Sequence, residues 1–283
     1  MQDILEILRK TEAFFAQAGL DRPKLEAEWL LAHVLQIPRL QLFLQFERPL
    51  TEAQLAALRP LVQRRARREP LQYLLGTAPF GDIELKVDAR GLIPRPETEE
   101  LVALLIERGR PAPPARLADL GTGSGAIALS LAQAFPEAQV VAADTSPDAL
   151  ALARENAAAL GLAERVGFRQ AAWYQALKGP VDWVVSNPPY LTEAEWAGAA
   201  PEVRDWEPRQ ALVAAEDGLA DLRHLVEEAP RHLRPGGLLA LETGIAHHAA
   251  LREIAARVGL VAIESLCDAH GRERFFLARR AEI

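Results

Sequence analysis

Leu117-Ala118-Asp119-Leu120-Gly121-Thr122-Gly123-Ser124-Gly125 is the stretch that decides the fold. It leads from an apolar strand through a glycine-rich turn into a helix, the order at which open α/β sheets hold nucleotide-like cofactors. Glycines in such a turn let backbone amides come close to a ligand. The dinucleotide fingerprint G-x-G-x-x-G is not met, because the three glycines are spaced two apart and position 126 is alanine. A nicotinamide dinucleotide is therefore disfavoured.

Outward from this turn the chain alternates apolar runs with helical patterns from about Pro94 onward, which predicts βαβ units and a mostly parallel sheet. The strand candidates are 116–120, 139–143, 166–169, 182–186, 238–242, 260–265 and 274–278. Ser146-Pro147 forms an N-cap with proline at the first helical position, and Gly161 closes that helix. Upstream, Ile4, Leu5 and Leu8 with Phe14 and Phe15, then Leu25, Trp29, Leu30 and Val34, then Leu55, Leu58, Leu61 and Val62 make three helical stripes. Thr51-Glu52-Ala53-Gln54 has the form of a capping box. Between them and the sheet, Ile83, Leu85 and Val87 alternate with Asp82, Glu84, Lys86 and Asp88, which describes a strand with one wet face. The expected domains are a helical bundle over 1–75, a β-hairpin linker over 76–93 and a cofactor-binding domain over 94–283.

Composition bounds the function. The 283 residues are 49% apolar and 25% charged, enough for a packed interior and a second small domain. The longest apolar runs, such as 101–106 and 125–129, fall far short of the ~20 residues that cross a bilayer, and the start Met1-Gln2-Asp3-Ile4-Leu5-Glu6 does not resemble a secretory signal. A cytoplasmic location is expected. Cys267 is the sole cysteine and the six histidines lack ligand spacing, so no metal is expected. The net charge of −7 argues against nucleic acid as a direct substrate. Nothing points to an obligate interface, which leaves a monomer. Only two asparagines occur, Asn156 and Asn187, so each merits scrutiny.

Asp144 ends the strand after the glycine turn, where a carboxylate can accept both hydroxyls of an adenosine ribose. Asp119 can order the turn's amides or receive a ligand's ammonium group. Trp173, after the third strand, can cover an adenine face. Together these features describe an S-adenosyl-L-methionine site better than a pyrophosphate site.

Asn187-Pro188-Pro189-Tyr190 follows the apolar strand 181–185 directly. Two prolines lock φ and donate nothing, so nearby carbonyls stay free as rigid acceptors. A planar NH2 group can donate to Asn187 Oδ1 and to the Pro188 carbonyl while Tyr190 stacks on the attached π-system. That arrangement turns the nitrogen toward an electrophile. The same tetrapeptide fits an adenine amino group, which makes adenine-N6 methylation of DNA or RNA the alternative.

These stretches, with Pro70-Leu71-Gln72-Tyr73-Leu74-Leu75-Gly76, Leu92-Ile93-Pro94-Arg95-Pro96-Glu97-Thr98-Glu99, Glu207-Pro208, Asp217-Gly218-Leu219 and Gly271-Arg272, closely resemble the protein-(glutamine-N5) methyltransferases of the HemK/PrmC family, which act on class 1 peptide-chain release factors. The resemblance covers nearly the whole length. It implies an α/β fold, a Rossmann-like class I S-adenosylmethionine-dependent methyltransferase sheet with a small N-terminal all-helical domain joined by a β-hairpin. It further implies that Gly121, Thr122, Gly123, Ser124 and Gly125 wrap the methionine part of the cofactor, with Asp119 and Asn187 beside it, that Asp144 holds the ribose, and that Trp173 packs on adenine. Asn187, Pro188, Pro189 and Tyr190 would bind the glutamine amide, and Arg95, Glu97 and Thr98 would shape the channel around it. The product would be S-adenosyl-L-homocysteine. Family members often carry Asp before the tryptophan, and here that position is Ala172.

Other features have plainer readings. Arg64, Arg65, Arg67 and Arg68 read as a solvated helix end suited to the dipole, with contact to the release factor or ribosomal RNA as the alternative. Glu207, Glu242 and Asp268 can line the site or serve as caps and surface acids.

Overall fold

The computed structural model describes residues 2–282. Its contacts divide the chain into two bodies, the residues up to 77 together with 200–206, and 78–199 together with 207 onward. The first therefore runs slightly past the expected boundary and recruits a short distant segment.

The first body contains α1 (Ile4–Gln17), α2 (Pro23–Leu35), α3 (Glu52–Ala66) and α4 (Leu71–Leu75), with a 3-10 turn over Arg39–Leu44. Asp3 caps α1 and the Thr51/Gln54 capping box starts α3, so orphan amides at both starts are satisfied. Ile4, Phe15, Leu30, Leu31, Leu42, Leu55 and Leu58 build its core. Adjacent residues on a helix point about 100° apart, so one of a pair at the edge of the apolar face turns outward. Phe14 is accordingly 45% exposed beside buried Phe15, and Trp29, 42% exposed, lies under the Arg39 guanidinium at 5.6 Å.

Arg64 and Arg67 are exposed at the end of α3, as the solvated reading expects, whereas Arg65 and Arg68 depart from it. Arg65 is buried and pairs with Glu26 and, at 2.8 Å, with Glu202; Arg68 reaches Glu202 at 2.8 Å and the Gly19 carbonyl at 2.6 Å; Arg64 pairs with Glu69. The acidic partners of Arg65 lie 39 and 137 positions away, beyond any local count of charge. These pairs hold the 200–206 segment within this body.

The second body opens with the hairpin β1 (Thr77–Phe80) and β2 (Ile83–Lys86), whose first residue still belongs to the helical body. Then follow α5 (Pro96–Gly109), β3 (Arg116–Leu120), α6 (Ala126–Ala134), β4 (Gln139–Asp144), α7 (Pro147–Ala159), β5 (Val166–Gln170) and β6 (Val181–Ser186). Short helix α8 (Glu193–Ala197) precedes α9 (Pro201–Arg204), which falls in the first body. The chain ends with α10 (Ala220–His232), β7 (Leu233–Glu242), α11 (His248–Arg257), β8 (Leu260–Cys267) and β9 (Glu273–Arg280).

The seven strands are ordered β5-β4-β3-β6-β7-β9-β8, all parallel except β9. Both faces are covered. Leu117, Val185, Leu238, Phe275 and Leu277 join one apolar cluster, and Ala118, Val184, Leu239, Phe276 and Ala278 join the other. Strand order reverses between β3 and β6, and in such sheets ligands bind beyond the strands' carboxyl ends at that switch. The glycine turn follows β3 and Asn187-Pro188-Pro189-Tyr190 follows β6, one on each side of it.

Asn156, one of the two asparagines, lies on α7 and is buried. Its Oδ1 accepts from Lys86 N at 2.7 Å, while Nδ2 donates to Lys86 O at 3.1 Å and to Ser124 O at 2.9 Å. It is a structural clamp between β2 and the glycine turn.

Candidate active site

A cavity of about 270 Å³ lies at the switch point. Gly121, Gly123, Asp144, Ser146, Ala171, Trp173, Asn187 and Pro189 line it, together with Arg90, Gly91 and Leu92 after the hairpin, Pro208, Gln210 and Ala211, and Asp221 of α10. The strand ends after β3, β4, β5 and β6 thus contribute to one space, as the sheet order requires.

The turn is ordered from below by Asp119. This carboxylate is fully buried, and its Oδ2 accepts from the Thr122 hydroxyl at 2.5 Å and the Ala128 amide at 3.1 Å. Its Oδ1 has no partner among the described residues. Burial pushes the Asp119 carboxyl up to about 7, against the pull of those two hydrogen bonds, and the nearby Asp144 charge adds to the rise. Asp144 accepts from Gly123 N and Ser146 N, both at 2.9 Å, one to each oxygen. Gly121 takes φ +78°, and a β-carbon there would stand 3.4 Å from the Trp173 ring. Glycine is needed both for its backbone and for the approach of the indole. Burial holds the Asp221 carboxyl above the usual range, while His224 and a hydrogen bond from Trp173 oppose it.

Of the residues expected to wrap the methionine part of a cofactor, Gly121 and Gly123 border the cavity, whereas Asp119, Thr122, Ser124 and Gly125 do not. Arg95, the N-cap of α5, donates to buried Glu207 at 2.5 Å, and Glu97 accepts from Arg272 at 2.9 Å. Neither side chain borders the cavity, nor do Thr98, Pro188 or Tyr190.

Thr98 is instead tied to Asn187. The Asn187 Nδ2 donates to Thr98 Oγ1 at 3.0 Å, and Thr98 Oγ1 donates to Glu242 Oε2 at 2.5 Å. Tyr190 Oη donates to the other oxygen of Glu242 at 3.0 Å, and Arg274 lies over the Tyr190 ring at 5.9 Å. Burial raises the Glu242 carboxyl, with the hydrogen bonds from Thr98 and Tyr190 acting against it. Gly218, at φ +83°, closes on the same segment: a β-carbon there would lie 2.1 Å from the Tyr190 carbonyl oxygen.

Comparison with known proteins agrees with this architecture at every scale. Residues 6–76 match the PrmC N-terminal domain and residues 98–201 match the methyltransferase small domain. A release factor glutamine methyltransferase from Deinococcus radiodurans is 44% identical over 276 residues, covering 98% of each chain. The chain belongs to the release factor glutamine methyltransferase family. Another family member, from Chlorobaculum tepidum, is 46% identical over 249 residues, covering 84% of each chain. Among solved structures, a methyltransferase from Pyrococcus furiosus aligns with TM-score 0.55 at 20% identity, over 77% of this chain and 98% of that one. A Thermus thermophilus 16S rRNA methyltransferase, solved with AdoMet and guanosine, aligns with TM-score 0.52 at 22% identity, over 72% of this chain and 49% of its own. These two share the sheet.

Arg90, Gly91, Gln210 and Asp221 also wall the cavity, and the sequence does not single them out. None carries a periodic or motif signal. From the sequence Glu242 reads equally as site or surface, and its position at the end of β7 is the signal that points to the site.

Proposed function

We propose that the protein transfers a methyl group from S-adenosyl-L-methionine to the side-chain amide nitrogen of the glutamine in the Gly-Gly-Gln motif of class 1 release factors, leaving S-adenosyl-L-homocysteine. One observation carries this reading: Asn187 and Pro189 line the same cavity as Gly121, Gly123, Asp144 and Trp173. The walls for a donor and for an acceptor meet in a single space.

The residues present fit the cofactor. Each Asp144 oxygen accepts one backbone amide and keeps a lone pair for a ribose hydroxyl. The Trp173 indole offers a flat wall for adenine. When bound, the cofactor supplies a methyl group on a sulfonium, an electrophile that needs little help to leave.

The chain's own contribution is orientation. Asn187 Oδ1 and the Pro188 carbonyl accept the two N–H bonds of the substrate amide, which points its nitrogen lone pair at the methyl carbon. An amide nitrogen is a weak nucleophile because its lone pair is delocalised. Fixed acceptors favour the positive charge that builds on the N–H hydrogens as the nitrogen becomes tetrahedral, so they act more strongly on the transition state than on the bound amide. Tyr190 packs against the amide, and Arg95, Glu97 and Thr98 support the walls of its channel. The residues up to 75 serve as a recognition body for the release factor, joined to the methyltransferase sheet through the 76–93 hairpin, and the enzyme works in the cytoplasm.

The relatives' shared name supports a glutamine carboxamide over the adenine amine. Incubation with S-adenosyl-L-methionine and a release factor, followed by weighing of the Gly-Gly-Gln peptide, should show one added methyl on glutamine. Methyl transfer only to an adenine oligonucleotide would overturn the assignment.

A further inference from the structure

Hydrogen-bond direction is the part of this site that the substrate reading leaves open. Asn187 can serve the substrate only if its oxygen, not its NH2 group, faces the cavity. The Asn187 backbone alone cannot enforce that choice, because an asparagine amide rotates by half a turn and presents either end with nearly the same shape.

The chain behind Asn187 makes the choice. Glu242 is 1% exposed, ends β7, and takes both of its recorded partners from hydroxyl groups, Thr98 on one oxygen and Tyr190 on the other. Both Glu242 oxygens act as acceptors here, from Thr98 and from Tyr190. Thr98 therefore commits its single proton to Glu242 and is left with lone pairs alone for Asn187. An oxygen with no proton to give must receive one, so Asn187 turns its NH2 group to Thr98, at 3.0 Å, and its Oδ1 the other way. Arg274, stacked over Tyr190, sets a positive charge near the same carboxylate.

We infer that Glu242 and Thr98 are positioning residues that set the polarity of a hydrogen-bond chain ending at Asn187, so that its oxygen faces the glutamine amide of the substrate. The inference rests on transfer to that amide. Glutamine at 242 would break the rule: its NH2 end can donate to Thr98, freeing the Thr98 proton for Asn187 Oδ1 and letting the amide turn. Valine at 98 removes the link with little change in shape, whereas serine keeps it.

Turnover on a release factor, cofactor affinity and the double variant together test this. Glu242→Gln and Thr98→Val should each lower kcat about tenfold or more while cofactor affinity, which also reports folding, stays within about twofold. Thr98→Ser should stay within about twofold of the unaltered enzyme. The double variant Thr98→Val/Glu242→Gln should be no worse than the poorer single one, because both cut one chain. Wild-type kcat in either single variant, or losses that multiply in the double variant, would overturn this inference alone. Absence of methylation by the unaltered protein would overturn the functional reading and this inference with it.

Discussion

Asn156 Nδ2 donates to the Ser124 carbonyl at 2.9 Å, so a side chain of α7 fixes the height of the glycine turn above the sheet. The same amide group is closed on the other side by both backbone groups of Lys86. Asn156→Ala should therefore cost about 2–4 kcal/mol of stability in urea unfolding, since it strands buried polar groups of the backbone. It should weaken cofactor binding as well. A variant with unchanged affinity would show that the turn holds its shape without the clamp.

Asn187→Ala keeps the cavity wall and removes the oxygen proposed to accept from the substrate. Turnover should fall by ~10² while cofactor affinity is largely retained, as expected for a group whose contacts strengthen in the transition state. Paired measurements of kcat and of cofactor Kd decide it. Equal loss in both would move Asn187 to a cofactor role.

The Asp119 carboxyl, pushed up to about 7, gives the ligand-free protein a pH dependence. The folded state binds this proton more tightly than the unfolded chain, where an aspartate titrates near ~3.9. Its stabilising contribution is thus complete below that value and is lost as pH rises through about 7. Asp119→Asn cannot titrate and keeps an acceptor for Thr122 and Ala128. Melting temperatures from pH 4 to 8 should show the variant gaining on the unaltered protein as pH rises. Parallel curves would count against the assignment.

Arg65 holds two acids from distant parts of the chain, Glu26 and Glu202. Arg65→Ala leaves Glu26 in poorly hydrated surroundings without its cation and Glu202 with Arg68 alone. A loss of about 3 kcal/mol or more is expected in chemical unfolding. A loss below about 1 kcal/mol would return the cluster to the solvated reading.

The sheet was legible because its strands are buried on both faces and stand out as apolar runs between turns. Asp144, Trp173 and Asn187 were legible because they sit at strand ends, where position alone assigns them to the switch point. Glu242 holds the equivalent position after β7, yet an acid at a strand end reads equally as a cap until Thr98 and Tyr190 are seen to close on it. Arg90, Gln210 and Asp221 reach the cavity from segments whose path is set by tertiary packing. Arg65 was misread for the same reason: its acidic partners are 39 and 137 residues away, and local charge counting stops at a helix turn.

The clasp between Arg65, Arg68 and Glu202 means that neither half of the molecule is a single stretch of gene. A truncation that begins at residue 78 keeps 200–206 but strands Glu202, and one that stops at 77 leaves Arg65 with Glu26 but takes Glu202 from Arg68. A chimera that exchanges only the leading segment therefore keeps this clasp only where an acid at position 202 meets arginines at 65 and 68.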